Sequence, residues 1–446
     1  MLPVFALVGR PNVGKSTLFN NLTRSRAALV FDTPGITRDR LYAQGQFDDK
    51  PFLVIDTGGI TGDEEGLDIL TVQQSWQAVE EAQVILWMVD AQAGLTPADK
   101  ELAKQLRQLK KPVLLVVNKT DNLTAATASS EFYSLGWPDI VNITAAHGRG
   151  IPELLEKAFA ALPKPAEENV EIETPEESTR DPGIQVAVIG RPNVGKSTLV
   201  NRLLGEERVV VFDKPGTTRD SIFIPFTRRD QAYTLIDTAG VRRRQNVNET
   251  LEKFSVVKSM QAIAEADVVI FVLNAQESVT EQDLNLLGFV VESGRSLVIA
   301  INKWDGLTAY ERSQIRAQVN RRLEFVNFAK MIFISARHGT GVGELWEAIQ
   351  KAYRCATTSH PTNLLTTILH DAVTAHAPPI SQGRRAKLKY AHMGGVKPPR
   401  IVIHGNLTDK ISSQYKRYLI HTYQKALKLV GTPVQLIFKS GQNPYE

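Results

Sequence analysis

The sequence predicts an α/β protein in which one domain occurs twice and is followed by a smaller α+β domain. The ten residues GRPNVGKSTL occur at Gly9–Leu18 and again at Gly190–Leu199, an offset of 181. Short β-branched runs alternate with helical apolar patterns inside each copy, and this alternation changes after about residue 357. An identical ten-residue match is far beyond chance, so the sequence indicates the duplication of a whole domain.

Each copy contains four apolar runs of strand length, with helical spacing of apolar residues between them, as in Glu101–Leu109. The runs are Val4–Val8, Phe52–Asp56, Val84–Val89 and Val113–Asn118 in the first copy, and Gln185–Ile189, Tyr233–Asp237, Val268–Leu273 and Leu297–Asn302 in the second. Continuous apolar strands separated by helices predict a mostly parallel, doubly wound sheet that is covered on both faces.

The segment between the copies and the tail after them differ from both. Residues 163–182 contain four prolines, seven acidic residues and no aromatic residue, which predicts a flexible linker, with a short ordered edge segment as the alternative. The tail pattern predicts helix, strand, strand, helix and strand at Asn363–Ala375, Lys387–His392, Arg400–His404, Ile411–Val430 and Val434–Lys439. We therefore expect domains at 1–162, 183–356 and 357–446, with the linker at 163–182.

The composition excludes several classes of protein. With 43% hydrophobic and 22% charged residues among 446, the chain has enough apolar material for real cores, which excludes global disorder. A single cysteine, Cys355, excludes an intramolecular disulfide and a zinc site of several thiolates. The stretch from Met1 to Gly9 is typical of a strand rather than a signal peptide, and no apolar run approaches the roughly 18 residues that span a bilayer. We expect a soluble, cytoplasmic protein.

The net charge of +4 conceals a strong asymmetry. Residues 351–446 carry 14 lysines and arginines against 3 acidic residues, a charge of +11, while the rest carries 38 against 45, a charge of −7. A strongly basic module joined to a mildly acidic body predicts a polyanionic partner for the tail.

Both copies carry the phosphate-loop pattern between a predicted strand and a predicted helix. The pattern G-x-x-x-x-G-K-S runs from Gly9 to Ser16 and from Gly190 to Ser197. In this context backbone N–H groups cradle phosphate oxygens, Lys15 and Lys196 bridge the β- and γ-phosphates, and the serine hydroxyl is a magnesium ligand. The residues expected to hold the phosphates are Gly9, Asn12, Val13, Gly14, Lys15, Ser16, Thr17, Gly190, Asn193, Val194, Gly195, Lys196, Ser197 and Thr198.

Two further motifs point to a magnesium-bound triphosphate. Asp56 and Asp237 each end an apolar strand, where a carboxylate can order the metal shell, and the N–H groups of Gly59 and Gly240 can reach the γ-phosphate. Thr37 and Thr218, in PGITRD and PGTTRD, can complete magnesium coordination when the γ-phosphate is present. Thr217 is an alternative to Thr218. The predicted magnesium ligands are Ser16, Thr37, Asp56, Ser197, Thr218 and Asp237, and the predicted catalytic residues are Lys15, Thr37, Gly59, Lys196, Thr218 and Gly240.

The motif NKxD, which follows an apolar strand in each copy, predicts guanine rather than adenine. The carboxylates of Asp121 and Asp305 can accept from guanine N1–H and its exocyclic amine, donors that adenine lacks at this edge, so adenine would leave a buried carboxylate unpaired. The stems of Lys119 and Lys303 can cover the base. Asn118 and Asn302 begin the motifs, and the backbone N–H groups of Ala145 and Ala336 can meet the guanine carbonyl.

The residues expected to support hydrolysis differ from those of many GTPases. Ile60 and Val241 stand where many GTPases place a glutamine that orients water, so we expect slow intrinsic hydrolysis. Asn12 and Asn193 precede their lysines by three residues, which suggests a potassium ion in place of an arginine finger, a loop-stabilising asparagine being the alternative. The run from Arg242 to Arg244 could contact RNA or an acidic neighbour, a solvated loop being the alternative.

The two modules, each with GRPNVGKS, PGxTRD, DTxG and NKxD, together with the basic tail, resemble the Der (EngA) family of bacterial double-Era-like GTPases over essentially the whole chain. In the tail, Gly383–Tyr390, Pro398–Pro399, Ser413–Tyr418, Gly431–Val434 and Asn443–Tyr445 resemble the KH-like domain of that family. The tail lacks the G-x-x-G motif with which a KH domain clamps four single-stranded nucleotides, and its nearest stretch is Gly394–Lys397. Duplex RNA, a protein or its own GTPase domains are therefore better partners for the tail.

The resemblance implies a GTP-hydrolysing switch with two GTP/GDP sites, magnesium and possible potassium, which binds the large (50S) ribosomal subunit or its rRNA during ribosome biogenesis. A monomer without membrane association is expected. The alternative from another class is a ribosome-binding scaffold whose GTP sites are structural or regulatory. A third alternative, a tRNA- or membrane-associated GTPase, is disfavoured because the sequence lacks an amphipathic anchor and a catalytic cysteine motif.

Overall fold

The computed structural model describes residues 2–23, 41–48, 50–57, 76, 79–121, 129–163, 183–205, 209–211, 223–236, 256–381 and 384–440. The chain divides into two compact units, Met1–Ser178 and Thr179–Glu446. The first unit contains one copy of the duplicated domain, and the second unit contains the other copy together with the tail.

The first unit is built on a six-stranded sheet with the order β2-β3-β1-β4-β5-β6. Its elements are β1 Val4–Val8, α1 Lys15–Thr23, β2 Leu41–Phe47, β3 Lys50–Asp56, β4 Val84–Asp90, α2 Pro97–Arg107, β5 Val113–Asn118, β6 Ile140–Asn142 and α3 Ile151–Ala160, with a 3₁₀ turn at Phe132–Leu135. All neighbouring pairs are parallel except β2 with β3. The mostly parallel sheet is thereby confirmed, with one antiparallel edge strand added.

Apolar side chains on both faces hold this sheet between the helices. Every residue of β1 and β4 is buried, as parallel strands covered on two sides require. On one face the ring of Phe159 from α3 meets Phe5 and Phe52 edge-on, with centroid distances of 5.4 and 5.9 Å. Such aromatic contacts contribute beyond the area they bury.

The second unit repeats the plan with a seven-stranded sheet in the order β13-β12-β11-β7-β10-β9-β8. Its elements are β7 Ile184–Ile189, α4 Lys196–Leu204, β8 Val209–Val211, β9 Phe223–Arg228, β10 Gln231–Ile236, α5 Val256–Glu265, β11 Val268–Asn274, α6 Glu281–Glu292, β12 Ser296–Asn302, α7 Ala309–Arg322, β13 Lys330–Phe333 and α8 Val342–Thr357, with a 3₁₀ turn at Glu324–Val326. Strands β8 and β9 are antiparallel additions at one edge.

The tail forms a small α+β domain. It consists of α9 Thr362–Ala375, β14 Ile380–Ser381, β15 Arg384–Arg385, β16 Lys387–Gly395, β17 Arg400–Asn406, α10 Ser413–Ala426 and β18 Gln435–Ser440, with a 3₁₀ turn at Thr408–Lys410. Strand β17 is antiparallel to β16 and parallel to β18. The five expected elements occur in the expected order, with the short pair β14 and β15 added before β16. Helix α10 is capped by Ser412, whose side chain accepts from Tyr415 N–H, and ends before the expected Val430.

The tail domain docks on the second GTPase copy at the amino-terminal ends of its parallel strands. The N–H of Leu297, in β12, donates to the carbonyl of Gly431 at 2.7 Å, and the N–H of Gly431 donates to the carbonyl of Phe328 at 2.7 Å. The Lys397 ammonium lies 3.0 Å from Asp267, which precedes β11. The tail is therefore held to the second GTPase copy both by backbone hydrogen bonds and by a side-chain ion pair.

In the part of the chain that the structure describes, no helix combines the length and the apolar composition needed to cross a membrane.

Candidate functional site

Each phosphate loop lies at the carboxyl end of a central parallel strand and opens a helix. The first loop follows β1, and Gly9 takes φ +155°, where an added Cβ would lie 2.4 Å from the carbonyl oxygen of Met88. Gly14 takes φ +99°, and its Cβ would lie 2.3 Å from Asn118 Nδ2. Gly190 and Gly195 repeat this geometry in the second loop, with φ +152° and +99°. Glycine is therefore required at these positions both for conformation and for space.

The loop lysine of the first copy is buried against its own loop. The Lys15 ammonium donates to the carbonyls of Gly9 at 2.9 Å and Arg10 at 2.8 Å. Burial, opposed by the charge of Asp56 and reinforced by that of Arg10, lowers the pKa of Lys15 to about 8. In the second loop the Lys196 ammonium donates to the carbonyl of Arg191 at 2.7 Å.

The serine and the strand-ending aspartate of the first copy come together as expected. Ser16 Oγ donates to Asp56 Oδ2 at 2.9 Å, and Asp56 is 3% exposed. A hydroxyl and a carboxylate placed side by side next to a phosphate loop are the hard oxygen donors that Mg²⁺ prefers, so these residues fit the ion. Ser197 lies at the start of α4 in the second copy, and its expected partner Asp237 is outside the described residues.

The first asparagine of NKxD ties two loops together. Asn118 is buried; its Nδ2 donates to the Val13 carbonyl at 2.8 Å, and its Oδ1 accepts from the Ala145 N–H at 2.9 Å. The second copy has the same arrangement at 2.9 Å on both sides, with Asn302 between Val194 and Ala336. One side chain therefore sets the spacing between the phosphate loop and the loop expected to meet the base.

The two carboxylates expected to read the base lie at these same edges and remain accessible. Asp121 lies 3.5 Å from His147 Nε2, and Asp305 lies 3.5 Å from His338 Nε2. A hydrogen bond from Ser335 is the main cause of a lowered pKa at Asp305, so this carboxyl is charged at neutral pH. Lys119 and Lys303 both take left-handed backbone angles, φ +64° and +62°.

The remaining predicted residues divide into two groups. Asn12 and Asn193 adopt φ +64° and +62° in their loops, while Thr17 and Thr198 lie in the first turns of α1 and α4. Several predictions lie outside the described residues and remain predictions: Thr37, Gly59, Ile60, Thr217, Thr218, Asp237, Gly240, Val241, Arg242–Arg244, and the linker after Pro163.

Comparison with known proteins agrees with this geometry. The family described as "50S ribosome-binding GTPase" matches residues 4–119 and again residues 185–303, and the family "KH-domain-like of EngA bacterial GTPase enzymes, C-terminal" matches residues 360–439. The relative named GTPase Der from Hahella chejuensis is 55% identical over 445 residues, which cover 100% of this chain and 93% of that protein. The chain belongs to the Der family of GTPases.

Two other Der proteins are similar to this chain over 100% of its length and 93% of their own. Those of Marinobacter nauticus and Pseudomonas aeruginosa strain LESB58 are 57% and 56% identical to this chain. The resemblance drawn from the motifs is thereby confirmed, as are the fold class of two tandem P-loop GTPase domains with a KH-like domain and the activity of a GTP hydrolase. Membership in the Der family implies binding of guanine nucleotide and Mg²⁺.

The sequence interpretation missed some side chains at the edge of the Der sites. His147 and His338 both stand two residues after the alanine of the base loop, so the internal repeat alone could have identified them. Asp90, at the end of β4, lies 2.6 Å from the Lys119 ammonium. That contact joins residues far apart in sequence and becomes visible only when β4 and β5 pair with Asp90 beside Asn118.

Proposed function

We propose that this Der protein is a GTP-hydrolysing molecular switch that binds the large ribosomal subunit or its rRNA and acts in ribosome biogenesis. The family that matches both GTPase copies is described as binding the 50S ribosome. The tail after residue 350 carries a charge of +11, which suits it to a polyanion such as rRNA. The protein is proposed to act in the cytoplasm as a monomer.

The observation that carries this proposal is the position of the basic tail on the second GTPase domain. Strand β12 contacts the tail at Leu297 and ends at Asn302, which holds the phosphate loop through Val194. At about 3.3 Å per residue, roughly 17 Å of a single buried strand separates the tail from the nucleotide loops. In this proposal, a displacement at one end of so short an element is transmitted to the other end.

In this proposal the described residues divide the work of nucleotide binding. Backbone N–H groups from Asn12 to Thr17 and from Asn193 to Thr198 hold the phosphates, with Lys15 and Lys196 neutralising their charge. Asp121 and Asp305 select guanine, and the base stacks against Lys119 and Lys303. Ser16 and Asp56 would hold Mg²⁺, which would neutralise developing charge when bound; in the second domain this role is proposed for Ser197 and for Asp237, which lies outside the described residues.

The loops that carry Thr37 and Thr218 are proposed to respond to the γ-phosphate, and Gly59 and Gly240 to donate to it. Because Ile60 and Val241 cannot orient water, intrinsic hydrolysis is slow, and a potassium ion held at Asn12 and Asn193 is proposed to stimulate it. This stimulation is tested by comparing hydrolysis rates in potassium and sodium at equal ionic strength.

The switch is tested by sedimentation of the full chain with purified ribosomal subunits at moderate, fixed salt. The protein is compared with a non-hydrolysable GTP analogue, with GDP and without nucleotide. Association with the large subunit in the analogue state alone is the expected result. Equal association in all three states, lost as the salt concentration rises, contradicts the switch and favours a scaffold with a non-specific polyanion patch.

A further inference from the structure

The side chains around the two nucleotide sites have different partners, although the motifs of the two sites are almost identical. In the first domain, the Lys119 ammonium lies 2.6 Å from Asp90 Oδ2. The residue that corresponds to Asp90 in the second domain is Asn274, which pairs with Asn302 across β11 and β12 as Asp90 pairs with Asn118 across β4 and β5. Both side chains are buried, at 5% and 6% exposure, so the two domains place a charged and a neutral group in the same surroundings.

The surroundings of Asp90 direct its carboxylate toward Lys119. Its Oδ1 accepts from the N–H groups of Gln92 at 2.9 Å and Ala93 at 3.3 Å, which leaves Oδ2 for the ammonium. Burial raises the pKa of Asp90, but the Lys119 hydrogen bond and charge and the two backbone donors outweigh burial and lower it, so the carboxylate is charged. The lysine side chain is about one-third exposed and would otherwise move freely.

The second domain connects the corresponding residues differently. Asn274 Oδ1 accepts from the Gln276 N–H at 3.1 Å, as Asp90 Oδ1 accepts from the Gln92 N–H in the first domain. The Nδ2 of Asn274, however, donates to Glu277 Oε1 at 2.5 Å. Glu277 also pairs with Arg191 of the phosphate loop at 2.9 Å. Within the described part of the chain, Lys303 has no hydrogen-bond or ion-pair partner.

The phosphate-loop arginines differ in the opposite sense. Arg191 Nε donates to both carboxylate oxygens of Asp283, at 3.0 Å each. Its counterpart Arg10 lies 3.6 Å from Asp99, and its Nε and Nη2 form no hydrogen bond with the described residues. The second domain therefore holds its phosphate-loop arginine more closely and leaves Lys303 without a partner among the described residues, whereas the first domain holds Lys119 and pairs Arg10 more loosely.

We propose that Asp90 is a positioning residue for guanine nucleotide at the first site, where it holds the Lys119 side chain in place against the base, and that the second site lacks this device. The inference rests on the proposed function, in which the NKxD side chains bind guanine. Fixing a lysine side chain before the ligand arrives removes an ordering cost of about 0.5–1.5 kcal/mol, which corresponds to an affinity effect of about two- to tenfold.

The test uses the full chain and a fluorescent GDP analogue, with each site measured alone. The background Asp305→Asn removes guanine binding at the second site, and Asp121→Asn removes it at the first. If either background still binds two guanine nucleotides, the proposed base reading fails, and this is known before any variant at residue 90 is made.

In the Asp305→Asn background, Asp90→Asn is expected to weaken GDP binding by about two- to tenfold, mainly through faster dissociation. The fold accepts the change, because asparagine already occupies the corresponding position in the second domain. In a Lys119→Met background the same substitution is expected to have no further effect, since Asp90 acts only through the lysine.

The reverse exchange is made in the Asp121→Asn background. Asn274→Asp combined with Glu277→Ala, which copies the first domain, is expected to tighten GDP binding by about two- to tenfold relative to the matched control Glu277→Ala alone. The inference is overturned if Asp90→Asn leaves the dissociation constant unchanged or lowers it, if its effect persists when residue 119 is methionine, or if the reverse exchange gives no gain.

Discussion

Removal of the Asn118 side chain tests how the nucleotide loops are held together. Asn118→Ala leaves two buried backbone groups, the Val13 carbonyl and the Ala145 N–H, without the partners they have at 2.8 and 2.9 Å. Each unpaired group costs about 1–3 kcal/mol, so the first domain should lose about 2–6 kcal/mol of unfolding free energy. That is a large share of the stability of a typical domain.

The assay is amide hydrogen exchange on the nucleotide-free full chain, because a chain of several domains does not unfold in a two-state manner. Peptides from β5 and β6 should exchange with an opening free energy lower by about 2–6 kcal/mol, while peptides from β11 and β12 are unchanged. Asn302→Ala, the matched control, should show the opposite distribution. An opening free energy within about 0.5 kcal/mol of the parent in β5 and β6 would refute the reasoning.

Three other predictions concern the second phosphate loop, the buried lysine of the first loop and the docked tail. Gly195→Ala places a Cβ 2.3 Å from Asn302 Nδ2 at φ +99°, so it should weaken GDP binding at the second site by at least about tenfold without affecting the first, as site-specific titration would show. Because the nucleotide-free pKa of Lys15 is about 8 and bound phosphates must raise it, GDP binding at the first site should take up a proton, and affinity should fall as the pH rises above about 8. Calorimetry in buffers of different ionisation enthalpy counts that proton. The prediction is contradicted if no proton is taken up at about pH 8–9, which lies above the nucleotide-free pKa of Lys15 and below the higher pKa expected with phosphate bound. Gly431→Ala, with a Cβ 2.5 Å from that of Ala352 at φ +75°, should loosen the tail from the second domain, seen as faster exchange at Leu297 with the core of β17 unchanged.

The sequence predicted the central strands well because these are buried on both faces and therefore apolar throughout. Strands β1 and β5 occur with the expected bounds, Val4–Val8 and Val113–Asn118. The edge strands β2 and β8 were missed, as was β9, which lies between β8 and β10. In β2 the apolar residues are interrupted by Gln44, Gly45 and Gln46, because an edge strand packs on fewer neighbours and does not need a continuous apolar run.

The site was predictable wherever its chemistry is local in sequence, as in the phosphate loops and the NKxD motifs. Contacts that depend on strand register or domain docking were not predictable. The Lys119–Asp90 pair requires β4 and β5 to lie side by side, and the contact of Gly431 with Leu297 requires two domains to meet. The repeat did display the difference between Asp90 and Asn274, but its meaning depended on knowing which side chains surround each of them.

The central claim is that nucleotide at these two sites controls association with the large ribosomal subunit. It is tested most directly by changing the base that the sites accept, with Asp121→Asn and Asp305→Asn combined. Xanthine carries a carbonyl where guanine carries its exocyclic amine, so an asparagine N–H suits xanthine as a carboxylate suits guanine.

The measurement is sedimentation of this double variant with the large subunit, in the presence of non-hydrolysable analogues of XTP and of GTP. The account predicts that the XTP analogue promotes association and the GTP analogue does not, the reverse of the parent chain. Equal association of the double variant with either analogue, or with neither present, contradicts control by these sites.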